Sequence, residues 1–239
     1  VQFGSNMDEF VSDAIDVCVL PEKGRGLVVN RNVELGELLF VSRAFKIAPV
    51  ESIVEELIQA LRKATPAQRR AFSALHDGSH AKRVVPIAWF HPDASLFEEE
   101  RVLEPLHVSA ERVGRVVRLN AHSVASLMED AVLSGTVCEN GVRETDCGLW
   151  LLPSMVNHDC APSSICVPVN RETLAFVAAS RLYPGDEITD NYINVLQCLR
   201  ERKQELSEQK DFECQCGRCL AEAAALPDSV VAAQLRRFQ

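Results

Sequence analysis

Three cysteines crowd the stretch FECQCGRC, where Cys214, Cys216 and Cys219 form a C-x-C-x-x-C spacing. Three thiolates on so short a loop can converge on one ion, and a structural zinc takes four ligands in a tetrahedron. The fourth ligand must then come from elsewhere in the chain; the competing reading is a set of reduced, unliganded thiols. Asn157-His158-Asp159, followed by Pro162, has the residue types of a loop, and its plainest reading is a satisfied turn. Gly24-Arg25-Gly26 alone reads as a turn, and Tyr192 as a half-buried packing residue with its hydroxyl in water. Cys18, Cys138, Cys147, Cys166 and Cys198 are scattered and read mostly as small core fillers. An odd total of nine cysteines, with no secretory signal in VQFGSNMDEF, argues against a disulfide framework.

The chain that must position these residues has 239 of them, enough for one large domain or a core with a small lobe. Hydrophobic residues at 47% and charged residues at 25% exclude wholesale disorder. No apolar run approaches the roughly 18 residues of a membrane helix, and the strongest, Leu149–Val156, contains Pro153. A start at Val1 with the first methionine at position 7 reads as a processed or tagged terminus, so residues 1–6 are set aside. The balance of 25 Lys plus Arg against 34 Asp plus Glu gives a formal charge of −9. That argues against nucleic acid as the main partner and suits a cationic one, such as a lysine-rich peptide. Plain solubility explains the same charge.

Strands and turns are expected over residues 15–50: IDVCVL, the turn PEKGRG, LVVN, the turn RNVELGE, then LLFVSRAF. From residue 51 the period changes. Ile53, Val54, Leu57, Ile58 and Leu61 recur at helical spacing, and Thr65-Pro66-Ala67-Gln68 is a capping box opening a second helix to about Leu75. Ser109 is expected to cap a third helix running through ERVGRVVRLNAHSVASLMEDAVL, so that residues 51–135 form a helical block. SSICVPV and TLAFVAAS read as a hairpin about Asn170-Arg171-Glu172, and YPGDEIT as a turn and strand ending at Asp190-Asn191-Tyr192. LQCLRERKQELSEQ reads as a helix with a charged outer face, and SVVAAQLRRFQ after Pro227 as the start of another.

Taken in order, these segments resemble the SET-domain protein lysine methyltransferases, and within them the SET-and-MYND subfamily. The segments are KGRGLVV with LGELLF, RLNAHS, GLWLLPSMVNHDCAPS, YPGDEITDNYI and FECQCGRC, and the resemblance covers residues 17–47 and 116–220. It implies an α+β, mostly β fold of small twisted sheets with a pseudoknot, a helical insertion and a C-terminal zinc-binding post-SET loop. The implied divisions are 7–50 and 118–205 for the two parts of the SET domain, 51–117 for the insertion, 206–222 for the zinc loop and 223–239 for a helical extension. The implied cofactor is S-adenosylmethionine, lined by Gly24, Arg25 and Gly26, with Asn120, Asn157 and the backbone of His158 at its amino-acid end and Phe212 on its adenine. The fourth zinc ligand would be Cys160. Tyr192 would be the catalytic hydroxyl, and His122 and Ser154 would line the substrate channel. No cysteine lies between Gly26 and Asn120, so a MYND finger is expected to be missing.

The implied reaction is methyl transfer to a lysine side chain of a protein substrate, in a basic segment, with neither nucleic acid nor membrane as direct partner. It is an in-line displacement that needs positioning more than acid-base chemistry, although the amine must be neutral to attack. No histidine base is required. The alternative is a SET-like module that binds a protein or peptide and transfers little or no methyl. The expected location is cytoplasmic, nuclear or both. The chain departs from the family pattern in having Asp159, Ser163, Asp190-Asn191 and, in place of an aromatic channel wall, His122.

Overall fold

The computed structural model describes residues 7–79, 84–93, 108–127 and 145–225. Their fold is built around three small sheets and the helices packed between them. Strands β1 (Phe10–Val11), β4 (Leu38–Arg43), β10 (Thr173–Ala178) and β9 (Ser164–Pro168) form one sheet in the order β1-β4-β10-β9. All six residues of β10 are buried, as its unbroken apolar run requires of a strand covered on both faces. Phe176 of β10 stacks on Phe40 of β4 with ring centroids 4.4 Å apart, and both rings are fully buried. The expected β9–β10 hairpin is present, its turn tied by Asn170, whose Oδ1 accepts from the Glu172 and Thr173 amides at 2.9 Å.

The second sheet carries the candidate chemistry. Its order is β2 (Ile15–Leu20), β3 (Gly24–Val29), β11 (Glu187–Asp190) and β8 (Asn157–His158). β2 and β3 pair along six residues across the turn at Pro21–Lys23, where Glu22 and Gly24 both adopt positive φ, 62° and 81°. β8 lies parallel to β11, with Asn157 opposite Thr189 and His158 opposite Asp190. The third sheet is β5 (Lys46–Pro49), β7 (Asp146–Leu149) and β6 (His122–Ser123).

Helix α1 (Ile53–Lys63) buries Ile53, Leu57 and Leu61, one stripe at four-residue spacing. Helix α2 (Pro66–Ala74) begins at the Thr65–Gln68 capping box read from sequence. Helix α3 (Ala110–Asn120) is capped by Ser109, whose Oγ accepts from the Arg112 amide at 3.2 Å. It stops far short of the expected end. Ala121 turns extended, and His122 and Ser123 pair as β6 with Gly148 and Cys147, so the helical block is interrupted by a strand. Pairing with a partner distant in sequence overrides the local helical period there. Helix α4 (Leu199–Lys210) and helix α5 (Gly217–Ala225) flank the cysteine loop. The expected helix after Pro227 and Cys138 lie outside the described residues. Of the scattered cysteines, Cys147 and Cys166 are partly buried and pack against the main core, whereas Cys18 and Cys198 are partly buried outside it. Among the described residues no helix is long and apolar enough to cross a membrane.

Because the Phe40–Phe176 stack joins the two central strands of the first sheet, Phe176→Ala is expected to cost about 3–5 kcal/mol. Chemical denaturation measures it directly; a loss under about 1 kcal/mol would show that the sheet does not depend on the stack.

Candidate active site and metal centre

Asn157 opens β8 and reaches across to β3. Its Nδ2 donates to the Arg25 carbonyl at 3.1 Å and to Glu187 Oε1 at 2.9 Å. Glu187 in turn pairs with Lys23 at 2.6 Å. This crossing explains Gly26: a Cβ there would lie 2.6 Å from Asn157 Nδ2 and 2.6 Å from Leu20 Cδ1, so only glycine lets the strands approach. The Gly24-Arg25-Gly26 strand and the asparagine-histidine segment, distant in sequence, are thus brought together.

His158 is buried and bridges two parts of the site. Its Nδ1 accepts from the Tyr192 amide at 3.0 Å, which leaves the hydrogen on Nε2, facing Cys160 Sγ at 3.3 Å. Burial, reinforced by the charges of Lys23 and Arg202 and opposed by Asp159, brings its pKa down to about 4, so the ring is neutral at pH 7. The Tyr192 and Phe212 rings stand 5.3 and 6.0 Å from it. The Tyr192 hydroxyl is not simply wet, as a packing residue's would be; it donates to the Val156 carbonyl at 2.5 Å. Burial and the nearby Asp190 and Glu187 carboxylates raise its pKa above the ordinary phenol value, so it stays protonated. Asp190 itself is pushed up to about 7 by burial, which the Asn191 amide only partly offsets.

Asn120 closes α3 with its amide buried. Nδ2 donates to the Val116 and His76 carbonyls, both at 2.7 Å. His122 follows on β6 with its ring edge-on to Trp150 at 6.1 Å, and burial together with the charge of Lys210 brings it down to about 4. Ser154 sits in the 3-10 turn Pro153–Met155 and donates to the Trp150 carbonyl at 2.6 Å. Phe212 remains 37% exposed, a free aromatic face at the edge of the cluster.

Cys160, Cys214, Cys216 and Cys219 bring their sulfurs together, all within 4.8 Å of one another. Cys160 Sγ lies 4.0 Å from that of Cys214 and 3.6 Å from that of Cys219. Sulfurs about 3.8 Å apart are what a tetrahedral zinc with bonds of about 2.3 Å requires, so the cluster fits the ion. Burial pushes the Cys160 thiol up to about 11 and raises Cys214 as well; buried thiols such as these ionise against a compensating cation.

Sequence reading did not single out Arg202 or Lys210. Arg202 is fully buried in α4: its guanidinium donates to the Gln197 carbonyl at 2.6 Å and Glu222 at 2.7 Å, and lies 3.8 Å from Cys219 Sγ. It supplies a positive charge beside sulfurs that would become thiolates on binding a metal. The one signal in the sequence is its place four residues before Leu206, on the buried side of an otherwise charged helix. Lys210, the last residue of α4, donates to the Leu119 carbonyl at 3.2 Å and holds its ammonium 5.6 Å from the centre of the Tyr192 ring.

A family model, the SET domain, matches residues 24–193. Among curated proteins, a SET and MYND domain-containing protein of Dictyostelium discoideum is 36% identical over 77 residues, which are 32% of this chain and 22% of that protein. The histone-lysine N-methyltransferase SMYD3 of Mus musculus is 35% identical over 86 residues, 36% of this chain and 20% of that protein. The protein-lysine N-trimethyltransferase SMYD5 of Mus musculus is 38% identical over 82 residues, 32% of this chain and 19% of that protein. The matched part of the chain spans about a fifth of the length of each.

The four-cysteine geometry predicts about one tightly held zinc per chain. Elemental analysis of freshly purified protein is expected to find it, and Cys216→Ser to lower both metal content and folded yield. Protein that folds fully without zinc, and takes up none after chelator treatment, would leave four ordinary thiols.

Proposed function

The chain belongs to the SET-domain family, and from that premise we propose that it is a protein-lysine N-methyltransferase using S-adenosylmethionine. The observation that carries the reading is the convergence of Gly26, Asn157, His158 and Tyr192 at one sheet edge, through the hydrogen bonds of Asn157 and the His158 ring. The relatives named as lysine methyltransferases support it.

The methyl donor, when bound, supplies an electrophilic methyl on a positively charged sulfur. The residues present suit such a group. No atom lies within 4 Å of where a Cβ on Gly24 would be, and the exposed ring of Phe212 offers an apolar face to an adenine. The asparagines narrow how the amino-acid end is held. Each spends its Nδ2 hydrogens inside the protein, Asn157 on Arg25 and Glu187, Asn120 on His76 and Val116. What each can offer a ligand is its Oδ1, an acceptor, which suits an ammonium rather than a carboxylate. Carbonyl and carboxylate oxygens around Tyr192, from Val156, Asp190 and Glu187, suit a cationic donor.

Tyr192 then orients the acceptor amine with a hydroxyl that stays protonated and fixed on Val156. His158 acts by position. Its neutral ring holds the Tyr192 backbone and faces the cysteine cluster, so no proton transfer is assigned to it. The cluster holds the structural zinc through Cys160, Cys214, Cys216 and Cys219 and ties the loop bearing Phe212 to the asparagine-histidine segment. His122 and Ser154 line the approach to Tyr192 in this reading. The acidic balance of the chain favours a lysine within a basic segment of a protein substrate.

Tyr192→Phe is expected to keep the affinity for S-adenosylmethionine and to cut turnover by about 10²-fold or more. The assay is transfer of labelled methyl onto cell extract and purified histones, with donor affinity measured separately. Donor binding with no transfer to any protein would assign the chain as a SET-like binding module.

A further inference from the structure

Helix α4 ends at Lys210, and the next residue, Asp211, turns left-handed with φ +61°. The Asp211 carboxylate pairs with Arg118 on α3, which fixes the turn against that helix. Lys210 is thereby aimed inward. Its half-buried ammonium rests between the Leu119 carbonyl, at the C-terminal end of α3, and the face of the Tyr192 ring. Both are good partners for a cation, the first through the helix dipole and the second through the ring quadrupole. Neither neutralises it. Among the described residues no carboxylate lies within ion-pair distance of Lys210, and its charge is felt at His122.

Of the other charged groups of this corner, only the β11 carboxylates act against that field. Arg118 on α3 is positive and already paired with Asp211; it also lowers the Lys210 pKa, after burial. His122 on β6 is held neutral. Asp190 and Glu187 on β11 act on Tyr192, and Glu187 is engaged by Lys23 and Asn157. A positive charge therefore stands over the face of the Tyr192 ring, 5.6 Å from its centre, while the Asp190 and Glu187 carboxylates act on the hydroxyl.

We infer that Lys210 is a specificity-determining residue of the acceptor site, a built-in cation beside Tyr192 that opposes an incoming ammonium and favours the same amine in its neutral, nucleophilic form. This rests on the reading that Tyr192 receives the acceptor amine. Two unit charges held several ångströms apart near a protein surface interact strongly enough to move an amine by about one pK unit or more. The charge thus weakens capture of protonated lysine and raises the fraction ready to attack. A trimethylated lysine, which cannot shed its charge, is disfavoured most.

The test uses the full chain and a peptide that the wild-type protein methylates, selected from a lysine-peptide array with labelled S-adenosylmethionine. A copy of that peptide carries norleucine in place of the lysine. Binding of both, without methyl donor, is measured at pH 6.5 for wild type, Lys210→Met and Lys210→Arg. Lys210→Met is expected to bind the lysine peptide about tenfold more tightly and the norleucine peptide unchanged, while Lys210→Arg follows wild type. In turnover, the acidic limb of the pH profile is expected to move up by about one pH unit in Lys210→Met, since the acceptor amine loses the charge that lowers its proton affinity.

Equal effects on both peptides with an unmoved limb would overturn the inference and leave Lys210 as packing. So would labelled methyl on Lys210 itself, which would make it an acceptor. If Tyr192→Phe turns over the peptide as wild type does, or no peptide on the array is methylated, the reading of the site fails, and this inference with it.

Discussion

The imidazole of His158 is the joint on which this site depends. One nitrogen takes the amide hydrogen of Tyr192, and the other faces the sulfur of Cys160. Strand β8 contributes only two residues to its sheet, too few to hold a position by backbone pairing alone. The side chains on either side of the strand do the rest. Asn157 fastens it to β3 and β11, and His158 fastens it to the cysteine cluster and to the turn after β11. Burial keeps the ring neutral, which this arrangement requires, because one nitrogen must remain an acceptor.

The cysteine cluster extends the same constraint outward. Two of its sulfurs come from the loop between α4 and α5, one from Cys219 in the first turn of α5, and the fourth from Cys160, two residues beyond His158. Metal binding there would couple the fold of the last helices to the position of Tyr192, because ligands distant in the chain would share one ion. Arg202 fits this picture through its charge. A fully buried guanidinium is costly unless paired, and here it meets Glu222 on one side and a prospective thiolate on the other. Arg218 reaches the same carboxylate and the Cys160 carbonyl, so α5 is bound to the cluster by two arginines.

The parts of the molecule legible in its sequence are those fixed by local chemistry. The Thr65 capping box, the Ser109 cap, the Asn170 turn and the apolar run of β10 announce themselves in a few residues and occur where expected. The three loop cysteines were equally plain, but the need for a fourth ligand did not say which; Cys160 rested on family resemblance, and the structure brings it to the other three. What stayed hidden depends on contacts between distant segments. The break after Asn120 follows from pairing of β6 with β7, which no helical period reveals. The role of Gly26 becomes visible only when Asn157 lies against it. Lys210 belonged to a charged helix that read as a solvated face, and its inward turn comes from the left-handed Asp211 and its pairing with Arg118.

Neutral and charged groups are sorted around Tyr192 in a way that bears on methyl transfer. His158 and His122, the two side chains with an ordinary pKa near neutrality, are both brought down to about 4 by burial. Neither changes charge between pH 6 and 8. Asp190, raised to about 7, does answer pH in that range, as would an amine brought to the tyrosine. A reaction that depends on a neutral nucleophile beside a positive donor gains little from a histidine that protonates competitively. It gains more from fixed charges that bias the amine before it reacts. The carboxylates of β11 raise the pKa of the Tyr192 hydroxyl, and the ammonium of Lys210 stands 5.6 Å from the centre of its ring, so the tyrosine feels charges of both signs. Such a field is set by the fold, and in the proposed reaction it would bias the protonation of the acceptor without reorganisation during the transfer.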